Sequence, residues 1–335
     1  METDHRKNSY PTIKDIAKLS NVGIATVSRV INNSGKVSES TKKRVLEVIE
    51  ETGYSPNLNA RSLSSKKSYS LSYVVPDMGN SFYGIIYSSL ESTLIKSNYR
   101  TIVFPLINDF DLQKIKQKTD LIYQTDGVFL TSLSVSKIFR SKIPHKKIIL
   151  IDTADSRFDS VYIDNYKVGQ MAGEYLLKNS RPDSLFYLVT FKELENEFTS
   201  NVFSKRDKGF TDFMKSHGKN VKITYADLMW NGGYEAMKKS LKRKTGNYIS
   251  VFSACDMLGL GVKMFMDKKG LVPKKDYSLI SVDDLPQGEM SGLSTIKQPI
   301  ENFGKIATEM FISYSEGRKN LIHKELKCKL IERET

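Results

Sequence analysis

Over the first 53 positions, apolar residues recur every three to four residues, the period of short helices. Ile13, Ile16 and Ala17 fall on one face, and Thr12 followed three positions later by Asp15 has the form of a capping box that opens a helix. The polar run Ser20-Asn21-Val22-Gly23 fits a tight turn. A second helix turns Val27, Val30 and Ile31 inward and leaves Ile24, Ala25, Ser28, Arg29 and Asn32 on other faces. A third starts at the capping residue Ser38, buries Val45, Val48 and Ile49, and stops at Gly53, a residue type suited to the left-handed position after a helix. Three short helices on one small core, the first two joined by a tight turn, predict a helix-turn-helix.

After Ser68 the pattern changes to short apolar runs alternating with amphipathic stretches. The runs predict strands at Leu71–Val75, Thr101–Phe104, Gly127–Leu130, Lys147–Ile151, Ser184–Val189, Val221–Tyr225, Ile249–Phe252 and Ser278–Val282. Helical patterns lie between several of them, at Tyr83–Ser97, Val168–Lys178, Gly209–His217, Gly233–Leu241 and Leu258–Lys269. Such alternation argues for parallel sheets with crossover helices, and the strand count suggests two lobes rather than one barrel.

Composition sharpens this picture in two places. The formal charge is +13, and residues 1–67 hold twelve Lys/Arg against seven Asp/Glu, so positive charge is denser in the head than in the 268 residues that follow. That density suits phosphate contact, whereas the excess in the body reads as a Lys-rich surface. The two cysteines, Cys255 and Cys328, and the four His form no metal-type spacing, so neither a metal nor another cofactor is expected. No run approaches the ~18 apolar residues of a membrane span, and no apolar targeting segment opens the sequence. A cytoplasmic protein without a membrane partner is expected.

In a helix-turn-helix the second helix enters the major groove with its N-terminal residues against base edges. Ile24 and Ala25 are placed for apolar base contacts and Arg29 for a polar one, while Thr26 and Ser28 suit phosphate oxygens. Any amphipathic helix pair split by a glycine turn shares this pattern, so the flanking residues carry weight. They are Thr12-Ile13-Lys14-Asp15-Ile16-Ala17, Ala25-Thr26-Val27-Ser28-Arg29-Val30-Ile31-Asn32, Gly53-Tyr54-Ser55-Pro56-Asn57 and Ala60-Arg61-Ser62-Leu63. In these the chain resembles the lactose/galactose repressor (LacI/GalR) family of bacterial transcription regulators. Gly23 departs from the family, which usually has a capping Ser there.

The resemblance implies an all-α helix-turn-helix head with a hinge helix, followed by an α/β body of two Rossmann-like lobes like a periplasmic binding protein. The boundaries it suggests are a disordered tail at 1–11, the head at 12–53, hinge and linker at 54–68, and the body at 69–335. Lobe 1 would take about 69–163 and 294–323, and lobe 2 about 164–293 and 324–335, with crossovers near Asp164, Leu293 and Lys324. DNA contacts are implied for Thr12, Asn32, Tyr54, Asn57 and Ala60 as well. The segment Asn57–Leu63 is too short for a stable isolated helix. The resemblance makes it a hinge that pairs with its copy in a homodimer and wedges Leu63 between base steps of the minor groove. The partners so implied are a double-stranded, pseudo-palindromic operator, a second copy of the chain, and a sugar or sugar derivative as small-molecule effector.

Looser motifs extend the resemblance through the body: Pro76-Asp77-Met78-Gly79-Asn80-Ser81-Phe82-Tyr83, Ile163-Asp164-Asn165, Arg206-Asp207-Lys208-Gly209-Phe210, Val282-Asp283-Asp284 and Leu293 to Pro299. Ligands of open α/β sheets sit at the carboxyl ends of strands. Arg206, Asp164 and Asp283 are therefore candidate effector contacts, with Phe82 as an apolar face against a sugar ring. An Asp after a strand often caps the next helix instead, so both readings stand for Asp164 and Asp283, and Asp256 is read as fixing its own loop. Cys255 stands where the family often has a ligand-binding Asn. Trp230 belongs either to the cleft rim or to packing. No phosphate-binding loop or Ser-His-Asp arrangement points to an enzyme, and the head separates the chain from a simple sugar-transport protein. In the mechanism this implies, a cleft ligand alters the spacing of the N-terminal lobes. It acts as inducer or corepressor according to which spacing it favours. The resemblance also allows a phosphoprotein corepressor.

Overall fold

The computed structural model describes residues 11–31, 34–55, 67–106, 109–117, 121–140, 143–191, 200–241 and 247–335, and the chain divides into two units, Met1–Ser68 and Tyr69–Thr335. In the first unit α1 (Ile13–Leu19), α2 (Ile24–Ile31) and α3 (Glu39–Thr52) bury Ile16, Ala17, Val27, Val30 and Val45 together, with Ile31, Val48, Ile49 and Tyr54 packed against them. Each helix end has a local cause. The backbone N–H and the hydroxyl of Thr12 both donate to Asp15 Oδ2, at 2.8 and 2.7 Å. Ser38 Oγ accepts from the Thr41 N–H at 3.3 Å, and Gly53, at φ 62°, takes the left-handed conformation that ends α3.

The second unit holds two six-stranded sheets. The first joins β1 (Ser70–Val75), β2 (Arg100–Pro105), β3 (Gly127–Thr131), β4 (Lys147–Ile151), β5 (Asp159–Ile163) and a late strand, β11 (His323–Leu326), in the order β11-β5-β4-β3-β1-β2. The second joins β6 (Leu185–Thr190), β7 (Val221–Tyr225), β8 (Ile249–Ser253), β9 (Tyr277–Asp283), β10 (Ser294–Lys297) and β12 (Lys329–Ile331), ordered β12-β10-β9-β8-β6-β7. All pairings are parallel except β10 with β12. The intervening helices are α4 (Ser81–Leu94), α5 (Asp109–Lys116), α6 (Val135–Phe139), α7 (Asn165–Lys178), α8 (Val202–Ser216), α9 (Trp230–Ser240), α10 (Asp256–Lys268), α11 (Pro286–Met290) and α12 (Ile300–Ser315). β3 and β4, buried almost throughout, read as apolar runs for this reason, whereas β1 and β9 also bury serines.

Sheet membership corrects two of the expected crossovers. Ser294 pairs with Ile280 of β9, so residues 294–297 belong to lobe 2, and the chain returns to lobe 1 after Lys297 rather than at Leu293. β11 pairs with β5 and β12 with β10, which puts the last crossover between Leu326 and Lys329 rather than at Lys324. The cause is pairing rather than composition, because Ser294-Thr295-Ile296-Lys297 carries one large apolar residue. A buried carboxylate anchors the return. Asp159 pairs with Lys147 and Arg318, each at 2.6 Å, and accepts the Ile322 N–H at 2.6 Å. Among the described residues no helix is long and apolar enough to cross a membrane.

Candidate functional sites in the head and at the interlobe face

In the head, the core fixes which side of α2 faces outward. Val27 and Val30 are buried, whereas Ile24 is 45% exposed and Ala25 and Arg29 are exposed. Thr26 and Ser28 are half-buried beside them. Ile24 is an exposed apolar side chain at the start of α2, and Arg29 is exposed near its end. Thr12 is exposed, while the Tyr54 ring leans on the head core. Asn32, Asn57, Ala60 and Leu63 lie outside the described residues, as does nearly all of the expected 1–11 tail.

Gly23 precedes α2, and its carbonyl accepts the N–H groups of Thr26 and Val27 at 2.9 and 3.2 Å. A Cβ added there meets nothing within 4 Å. Gly23→Ser is therefore expected to stabilise the head by about 0.3 kcal/mol through capping. The added hydroxyl should also tighten DNA binding, measurable by thermal unfolding and a duplex titration; weaker binding would place Gly23 too close to the duplex for a side chain.

In the body, polar side chains from both lobes converge at the carboxyl ends of strands. Arg206 on α8 is 2% exposed; its Nε and Nη2 donate to Asn165 Oδ1 at 3.1 and 2.7 Å, and its Nη1 donates to the Ala254 carbonyl. Close helix packing holds it there. A Cβ at Gly169 would lie 2.0 Å from the Arg206 carbonyl oxygen and one at Gly209 2.0 Å from that of Tyr166, so glycine alone allows α7 and α8 to approach this closely. Asp283, at the end of β9, is buried at φ 124°, and its Oδ1 accepts from Gln298 Nε2 at 2.6 Å. Burial first, then the charge of Asp256, pushes its carboxyl well above the usual range.

Cys255 is buried at the N-cap of α10, and burial followed by Asp283 raises its thiol to about 12, so it is a neutral, weakly polar group. Asp256 fixes its surroundings: Oδ2 accepts the Leu285 N–H at 2.7 Å and Oδ1 the Thr295 hydroxyl at 3.0 Å. Asp164 is a helix cap. Its Oδ1 accepts the Tyr166 and Lys167 N–H groups at 3.1 and 3.2 Å, and its Oδ2 pairs with Lys167 at 3.0 Å. Burial would raise this carboxyl, but the bonds from Lys167 outweigh it and hold it low. Phe82 is buried in the core, edge-on to Tyr83 and Phe303 at 5.2 and 6.3 Å. Trp230 is half-exposed at the start of α9.

Lobe 1 adds residues that the sequence reading passed over. Ser132 and Asp152 follow β3 and β4 in the left-handed region, at φ 53° and 60°, and the Ser132 hydroxyl donates to Asp152 Oδ2 at 2.7 Å. Non-glycine residues held at positive φ cluster where function requires them. The Tyr83 phenol, pushed up by burial, lies beside Ser132, Asp152 and Asp283. Cys328 in the last crossover is raised to about 12 by burial, with Arg206, Asp152 and Asp283 as its charged neighbours. The lobes touch directly, since the Ser200 N–H donates to the Ser132 carbonyl and Gln287 Nε2 to Ser81 Oγ, both at 3.0 Å. The rule that singled out Asp283 as a candidate, a polar residue at the end of an apolar strand, applies equally to Ser132 and Asp152.

Comparison with known proteins matches both units. Residues 12–57 match the bacterial regulatory proteins of the lacI family, and residues 68–334 the periplasmic binding proteins and sugar binding domain of that family. The HTH-type transcriptional regulator RegA of Clostridium acetobutylicum is 29% identical over 97% of this chain and 98% of its own. Among solved structures, the lac repressor dimer bound to operator and the anti-inducer ONPF has a TM-score of 0.82 at 18% identity, covering 98% of this chain and 99% of that one. A LacI family transcriptional regulator from Enterococcus faecium with bound ribose has a TM-score of 0.65 at 22% identity, over 79% of this chain and 97% of that one.

Proposed function

The chain belongs to the lacI family of bacterial regulatory proteins, and we propose that it is a sequence-specific transcriptional repressor whose operator affinity is set by a small molecule held between its two lobes. The observation that carries this reading is α2, which keeps Ile24, Ala25 and Arg29 outward on a core fixed by Val27 and Val30. DNA contact is assigned to Thr12, Ile24, Ala25, Thr26, Ser28, Arg29, Asn32, Tyr54, Asn57, Ala60 and Leu63. The body supplies the effector site, with Arg206, Cys255 and Asp283 from lobe 2 and Tyr83, Ser132 and Asp152 from lobe 1. The operator and ribose in the two structural relatives support a DNA partner and a carbohydrate-class effector. The dimeric relative supports a homodimer on a pseudo-palindromic site. Acting on DNA, the protein works in the cytoplasm and catalyses no reaction.

The test is a change of specificity. Exchanging Ile24 and Ala25 is expected to alter which duplex is preferred, by about 1–3 kcal/mol at the base pairs they face, read by selection from a randomised duplex pool. A uniform loss over all sequences would make these residues structural. Leu63→Ala, by the same reading, weakens operator binding and lessens DNA bending while leaving effector affinity intact, with bending measured by gel mobility or energy transfer. Unchanged bending would remove the wedge role.

A further inference from the structure

Two neighbouring carboxyls at the end of β9 meet opposite surroundings. Asp283 is buried and accepts from Gln298 Nε2, and burial pushes its carboxyl upward. Burial would raise Asp284 as well, but the bonds from Lys297 and Arg333 outweigh it and hold it low. Asp284 Oδ2 accepts from Lys297 Nζ at 2.9 Å and Oδ1 pairs with Arg333 Nη2 at 2.7 Å, on a side chain that is 5% exposed. Both partners stand where the chain passes between lobes. Lys297 ends β10, just before the return to lobe 1, and Arg333 follows β12, which the chain enters on coming back. Arg333 is itself fixed, its Nη1 donating to the Leu293 carbonyl at 2.9 Å and its N–H to Ser294 Oγ at 3.0 Å.

These pairs have a strained backbone to hold. Asp283 and Asp284 are consecutive non-glycine residues at positive φ, 124° and 65°. Aspartate tolerates the left-handed well at φ ~57°, which suits Asp284, but Asp283 lies far beyond it. Residues persist at such angles only where surrounding contacts over-determine them. Here the contacts are the Asp284 pairs, the Leu285 N–H on Asp256 Oδ2 at 2.7 Å, and the Gln298 N–H on the Asp283 carbonyl at 3.2 Å. Beside Asp283, Gln298 Oε1 has no hydrogen-bond partner among the described residues, although its residue is 3% exposed. An amide oxygen in that position can accept an O–H or N–H of a ligand.

We infer that Asp284 is a positioning residue for the effector: by pairing with Lys297 and Arg333 it holds the Asp283 carboxyl and the Gln298 amide in the pose that meets a ligand. This rests on the reading of the interlobe cleft as the effector site. The test uses the full chain with D-ribose, D-glucose, D-galactose, D-glucosamine, D-glucose 6-phosphate and D-glucuronate as probes. Thermal unfolding finds the binders, and titration calorimetry measures their affinity in three variants. Asp284→Asn keeps the size of the side chain and its tolerance of positive φ but removes the charge, and is expected to weaken binding about tenfold. Asp284→Gly relaxes the backbone while removing both pairs, and should weaken binding at least as much with the thermal transition kept near that of the native chain. Lys297→Met, at a half-exposed position, removes one pair without touching the loop and should weaken binding about threefold. A residue that serves only the backbone conformation would be rescued by glycine. Native affinity in Asp284→Gly, or in Asp284→Asn and Lys297→Met together, overturns the inference and leaves the effector-site reading in place. If no probe binds the native chain, that reading falls and the inference falls with it.

Discussion

Val27→Asp is expected to abolish operator binding while leaving the body folded. Val27 is fully buried among Ile16, Ala17, Val30 and Val45 in the small core of the head. Placing an unpaired carboxylate there costs several kcal/mol, and a unit of this size has about that much stability to lose. A loss of ~3 kcal/mol lowers affinity about 100-fold even if the fold survives, since each 1.4 kcal/mol is tenfold. Circular dichroism should show helix loss matching the head alone, and the main thermal transition, which reports the Tyr69–Thr335 unit, should stay in place. A shift of that main transition would mean the two units do not fold independently.

The second large effect is expected at the other site. Arg206→Met keeps much of the side-chain volume but leaves Asn165 Oδ1 and the Ala254 carbonyl without their donors. Each buried acceptor so stranded costs about 1–3 kcal/mol, and the Asp283 carboxyl loses the Arg206 charge beside it. The body should lose roughly 3 kcal/mol of stability and all response to a cleft ligand, while the head still binds DNA. Arg206→Lys restores charge without the fork and should recover little, because one ammonium cannot span Asn165 and Ala254 together. Recovery by Lys would show that charge alone matters. Denaturant unfolding and ligand titration read both effects.

Much of this was legible in the chain itself. The periodicity of Ile13–Ile16–Ala17 and Val27–Val30–Ile31, with Thr12-Asp15 and Gly53 as end signals, is local physics, and the helices formed where those signals lay. Several strands buried on both faces announced themselves as apolar runs, but β5, which opens with Asp159 and Ser160, did not. β10 and β11 did not, because Ser294–Lys297 and His323–Leu326 gain strand character from their neighbours. α12, with Ile300, Phe303, Ala307, Met310 and Phe311 on one buried face, was readable but went unread. At the interlobe face, local structure takes up some of the candidate residues. Asp164 was claimed by the helix it starts and Phe82 by the core, both local demands that compete with ligand binding. Asp159 shows the converse: its burial follows from Lys147 and Arg318, which only the folded chain brings to it.

The most direct measurement is the dissociation constant of the full chain for a pseudo-palindromic duplex taken from selection, set against a scrambled duplex of the same length and composition at one fixed salt concentration. A sequence-specific regulator should prefer the selected duplex by about 1,000-fold or more. Equal affinity for the two would contradict the account, reducing the head to a basic surface that holds DNA without reading it.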